Sequence, residues 1–73
     1  MPTKKTLNEI LAENLERWRE SKGLTQVNAA AILGISQPAY SRLTHCGLSV
    51  RLDTLEHYSK VTKLSPAELL TPR

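Results

Sequence analysis

From Ser21 to Leu52 the chain carries no aspartate and no glutamate, yet it is dense in side chains that donate and accept hydrogen bonds. Gln26, Asn28, Gln37, Ser41, Thr44, His45 and Ser49 fall in this stretch, and Lys22, Arg42 and Arg51 are its only formal charges. A glutamine amide can accept and donate at once, which matches the N6 and N7 edge of adenine, and an arginine fork matches O6 and N7 of guanine. The same guanidinium grips phosphate in two-point fashion. A carboxylate anywhere near such groups would repel a polyanion, so its exclusion suits a phosphate backbone. The chemistry on offer is recognition of duplex DNA.

Other chemistries are poorly served. No Ser/His/Asp or paired-carboxylate arrangement occurs in a chain large enough to enclose a pocket, and an enzyme is not expected. Asp53 and His57 lie four apart, a spacing that predicts a helix-stabilising pair. Cys46 is the single cysteine, which excludes an internal disulfide. His45 and Cys46 are adjacent, too few for the four ligands of a structural zinc site. Neither metal nor cofactor is expected. Cys46 reads as a small packing residue. No apolar run is long enough for a membrane span and no signal peptide is visible, so a cytoplasmic, reducing setting is the expectation.

The groups just named need elements to hold them. The 73 residues make one small domain, with net charge +3 and a pI near 9.4. Phenylalanine is absent, so the core must be mostly Leu, Ile, Val and Ala, joined by Trp18 on an apolar stripe. Residues 1–5, with Lys4 and Lys5, read as a flexible basic arm, and residues 6–73 as the folded domain. Leu7, Ile10, Leu11, Leu15 and Trp18 recur at helical steps, with Thr6 and Glu9 forming a capping box and Gly23 as the stop. Thr25 caps a second helix to about Leu33, whose inner face is Ala29, Ala30 and Leu33, and Gly34 breaks it. Ser36 caps a third helix with Pro38 in its first turn, ending at Gly47. Leu48 to Arg51 form a loop. Leu52, Leu55, Tyr58 and Val61 give a fourth stripe, and Ser65-Pro66-Ala67-Glu68 starts a one-turn fifth helix. The fold class is all-α, five helices. The first helix gathers Glu9, Glu13, Glu16 and Glu20, which predicts an acidic side opposite a basic one.

Gln26, Ala30, Gly34, Ile35, Tyr40 and Leu43, with Arg19-Glu-Ser-Lys-Gly-Leu-Thr-Gln26 before them and Leu52-Asp-Thr-Leu55 after, resemble the helix-turn-helix pattern of the Cro and lambda-repressor-like family. The resemblance covers roughly residues 7 to 70, with the helix-turn-helix unit at 26–45. It implies a compact domain whose third helix enters the major groove with its N-terminal residues nearest the bases. Gln37, Pro38, Ser41 and Arg42 are then the candidates for reading bases. Gln26 would meet backbone phosphate, as would Thr44, His45, Ser49 and Arg51 around the following loop, with Lys4 and Lys5 trailing along the duplex.

One departure concerns Arg19. Family members often pair that arginine with a glutamate at the end of the third helix, but Leu43-Thr44-His45-Cys46-Gly47 contains no acid. Arg19 is left to bond backbone carbonyls or DNA. The same segment is one residue longer than usual.

One such helix spans only a few base pairs, so a homodimer on a palindromic site is expected. Leu48, Val50, Leu64, Leu69 and Leu70 are its candidate interface. The reading is a sequence-specific transcriptional regulator, a repressor or autoregulator. Phage Cro repressors, restriction-modification controller proteins and antitoxins share this size. RNA polymerase is a further candidate partner. The competing reading, a protein-interaction module on the same fold, does not account for the missing acids.

Overall fold

The computed structural model describes residues 6–46 and 50–72, Cys46 by its backbone alone. Five helices follow one another: α1 (Leu7–Ser21), α2 (Gln26–Leu33), α3 (Gln37–Cys46), α4 (Leu52–Thr62) and α5 (Pro66–Leu69). No strand occurs among the described residues.

Local chemistry sets the boundaries. The Thr6 hydroxyl accepts from the Glu9 amide at 3.2 Å and the Glu9 carboxylate accepts from the Thr6 amide at 2.9 Å, closing the expected capping box. At the other end of α1, Gly23 takes φ +65 and the Leu24 amide reaches back to the Arg19 carbonyl at 3.0 Å. Thr25 caps α2 through the Asn28 amide, and Ser36 caps α3 through the Ala39 amide. Ser65 and Glu68 form a second capping box at α5, with Pro66 at its first turn. Gly34, φ +77, ends α2 and lets the Ile35 amide bond the Ala30 carbonyl at 2.9 Å. A Cβ at Gly34 would meet only the His57 ring at 3.7 Å, so the left-handed backbone, not crowding, calls for glycine there. The predicted end of α3 at Gly47 lies outside the described residues.

The core is Leu11, Leu15 and Trp18 from α1, Ala29, Ala30 and Leu33 from α2, Tyr40 and Leu43 from α3, Leu55 and Tyr58 from α4, and Leu69 from α5. The alanines let α2 and α3 approach closely, and both are fully buried. Two stripe residues are corrected: Leu7 is 61 % exposed and Leu52 is 82 % exposed. Each is the first residue of its helix, so the neighbouring turn that would cover it does not exist.

Two further tethers fix the helices. Asn14, 4 % exposed, donates its side-chain amide to the carbonyls of Glu68 (3.3 Å), Leu69 (2.7 Å) and Thr71 (3.0 Å), closing the C-terminal end of α5 against α1. His57 does not pair with Asp53 as its spacing predicted. Its Nε2 lies 3.1 Å from the Leu33 carbonyl and donates to it, tying α4 to the end of α2. That carbonyl is one of the groups a helix end leaves without an internal partner.

Candidate nucleic-acid interface

The inner side of α3 is fixed by a polar triad against α1. Tyr40 is fully buried, and its hydroxyl donates to Glu16 Oε2 at 2.9 Å. The same oxygen accepts from Arg19 Nε at 2.6 Å, while Arg19 Nη1 donates to the Leu24 carbonyl at 2.7 Å. Arg19 thus bonds a carbonyl, as expected, and also finds a carboxylate, which was not. Glu16, one turn back on α1, supplies the acid that α3 lacks. Burial pushes the Tyr40 hydroxyl well above its ordinary range, and the Glu16 carboxylate pushes it further. Burial alone would raise Glu16, but hydrogen bonds from Arg19 and Tyr40 and the Arg19 charge outweigh it and hold the carboxyl below its ordinary value. The Glu16 hydrogen bond raises Arg19 in turn, against its desolvation.

The outer side is different. Gln37 opens α3 and Gln26 opens α2, and Gln37 Nε2 donates to Gln26 Oε1 at 3.1 Å. The two helix N-termini therefore converge. Neither has an acid in its first turn. Their helix dipoles put positive ends there, without that acidic counter-charge. After the pairing, Gln37 keeps Oε1 and one N–H, which is what the adenine edge requires. Gln26 keeps both amide hydrogens.

Pro38 is exposed beside Gln37, Ser41 is half-buried one turn on, and Arg42 is exposed. These three share α3 with Gln37, and Arg42 makes no ion pair among the described residues.

The candidates at the far end of α3 are less uniform. The Thr44 hydroxyl donates to the Tyr40 carbonyl at 3.0 Å, so its proton is already engaged in the helix. His45 Nδ1 lies 2.9 Å from the Ser41 carbonyl and donates to it, which turns Nε2 outward. Arg51 precedes α4 with its side chain 85 % exposed and its Nε 3.5 Å from Asp53, the first acid after the gap. An ion pair that open to water is weak and exchanges readily. Ser49, Lys4 and Lys5 lie outside the described residues, as does Leu48.

Among the interface candidates, Val50, Leu64 and Leu70 are half-buried against the core. Leu69 is corrected: it is fully buried inside the chain and has no surface to give to a second copy.

Sequence reasoning missed Asn14, Glu16 and the bond of His57. Asn14 stands three after Leu11 and four after Ile10, a polar residue on an apolar stripe, and that mismatch was the available signal. Glu16 stands three before Arg19, the spacing of an intrahelical ion pair.

Residues 15–69 match a family model described as helix-turn-helix, about three quarters of the chain. No curated protein matches the sequence. Among solved structures, the chain is similar to the crystal structure of a hypothetical transcription factor, NHTF, from Neisseria, with a TM-score of 0.82 and 24% identity over 99% of this chain and 83% of that one. That similarity confirms the five-helix arrangement as a known fold.

Proposed function

We propose that this chain, which belongs to the helix-turn-helix family of the Cro and lambda-repressor type, is a sequence-specific transcriptional regulator that presents α3 to the major groove of duplex DNA. The observation that carries the reading is the Gln26–Gln37 pair at 3.1 Å, set where two acid-free helix N-termini converge. Gln26 holds the Gln37 amide in one orientation before DNA arrives, so little side-chain freedom is lost on binding. Gln37 then reads adenine, Arg42 reads guanine or holds phosphate, and Ser41 and Pro38 complete the contact with the bases. The free N–H groups of Gln26 meet phosphate at the start of α2. Arg51, His45 and Ser49 carry the backbone on the far side, with Lys4 and Lys5 adding general attraction. Thr44 contributes by fixing the end of α3.

Two copies related by a two-fold axis would place two α3 helices about 34 Å apart, one turn of DNA. Val50 and Leu70 remain candidates for such an interface, Leu48 is a further candidate from the sequence, and Leu52 is an exposed apolar side chain at the start of α4. A bound dimer represses by occluding RNA polymerase, and its own promoter is the simplest target. A restriction-modification controller or an antitoxin would use the same surface. A regulator of this kind works where the DNA is, and no described helix is long and apolar enough to cross a membrane.

The test is selection of binding sites from a random duplex pool with purified protein. Enrichment of an inverted repeat with half-sites about one helical turn apart supports a dimeric DNA reader. Failure to enrich any sequence at low salt would sink the DNA reading.

A further inference from the structure

A second surface lies away from α3. Trp18, Leu24, Ile32 and Val61 line a cavity of about 320 Å³ between the C-terminal ends of α1, α2 and α4, with Lys22, Thr62 and Lys63 at its edge. Trp18, Lys22, Thr62 and Lys63 also line a neighbouring cavity of about 500 Å³ that runs on towards Asn14, Arg17, Leu64 and Glu68. The two cavities adjoin at these four shared residues and together form a groove. Its floor is apolar, and Ile32 is 41 % exposed there, one of few large apolar side chains open to water.

The rim is mostly cationic, with Lys22, Lys63 and Arg17 against one acid, Glu68. Lys22 and Lys63 close α1 and α4, and neither makes an ion pair among the described residues. Lys63 is the one described non-glycine residue with positive φ, at 63°. Glycine or asparagine holds that backbone at lower cost, while a lysine there suits the negative end of the α4 dipole and puts its charge at the rim.

We infer that this groove docks an amphipathic helix of a protein partner, presenting an apolar ridge flanked by carboxylates. The ridge fills the Trp18–Ile32–Val61 floor and the carboxylates meet Lys22 and Lys63. Two adjoining cavities suit a row of side chains better than one compact small molecule. No groove residue belongs to α3, and Ile32 lies at the opposite end of α2 from Gln26, so partner and duplex can be held together.

Trp18 is the sole tryptophan, so its fluorescence reports the groove directly. The probe is a helical peptide with one leucine stripe flanked by glutamates, titrated into the full chain. The control peptide carries lysines in place of the glutamates. A saturable Trp18 response to the acidic peptide is expected, weakened about tenfold in Lys22→Gln/Lys63→Gln at unchanged helicity. Absence of a saturable response, an equal response to the lysine peptide, or unchanged affinity in the double variant overturns the inference. Loss of duplex affinity in that variant, with a shallower salt dependence, would assign the lysines to DNA and overturn it as well.

Discussion

The two sides of α3 use the same kinds of atoms in opposite ways. On the inner side, Tyr40, Glu16 and Arg19 satisfy one another and the Leu24 carbonyl, and the tyrosine is removed from water. On the outer side, Gln37 and Gln26 make one bond to each other, and Arg42 stays exposed. The closed set fixes where the helix lies. The open set keeps hydrogen-bonding capacity for something outside the chain. Buried polar groups with every partner present rigidify a fold, whereas the same groups half-satisfied on a surface are available for recognition. The difference separates residues whose loss should lower stability from residues whose loss should lower discrimination.

The largest effect is expected where closure is most complete. Asn14→Ala removes the donor from three carbonyls at the end of α5 and should cost about 2–3 kcal/mol. Thermal denaturation would show a drop on the order of 10–20 °C for a domain this small. Preference among operator sequences should not change, and a change there would blur the comparison.

Next comes the open side. Gln37→Ala should cost about 1–3 kcal/mol of discrimination at one base pair, read by competition between operator variants, while the melting temperature stays put. Gln26→Ala should weaken the same position without abolishing it, because Gln37 then loses its brace.

The triad gives a smaller, pH-marked effect. Tyr40→Phe should cost about 1 kcal/mol. Glu16 has its carboxyl held below the ordinary value in the folded state. Its contribution is therefore fully present above the unfolded-state value and is lost as pH falls through the folded one. Denaturant titrations at descending pH should show that loss, and Glu16→Gln should flatten it. Equal acid sensitivity in the variant would remove Glu16 from the account.

The smallest change is a gain. Lys63→Gly relieves the positive φ and should stabilise by about 0.5–1 kcal/mol in chemical denaturation.

The helices were legible in the sequence because their signals are local. Thr6 with Glu9 and Ser65 with Glu68 cap within one turn, and Gly23 and Gly34 mark left-handed backbone wherever the chain goes next. The outward face of α3 was legible for the same reason, since Tyr40 and Leu43 fix its inner face by spacing alone. What escaped were bonds between distant segments. Nothing near His57 points to the Leu33 carbonyl, and Asp53 four residues before it offered a false partner. Leu69 reads as a surface leucine on a one-turn helix until α1 and α4 close over it. The Arg19 pairing was sought on α3, where the family resemblance pointed, while the acid stood on the same helix.

The tether made by Asn14 also bears on the order of events in time. The bonds Tyr40–Glu16 and His57–Leu33 each close a loop of 24 residues, whereas Asn14 reaches carbonyls 54, 55 and 57 residues away. Closing the longer loop costs about 3–4 kcal/mol of chain entropy before any contact rewards it. The difference from the 24-residue loops is about 0.7 kcal/mol, which favours assembly of α1 to α4 before α5 seats on a growing or refolding chain. Amide exchange near α5 should be the fastest of any helix, and a polypeptide still held at its C-terminal end would carry a formed α3 on an unlatched domain.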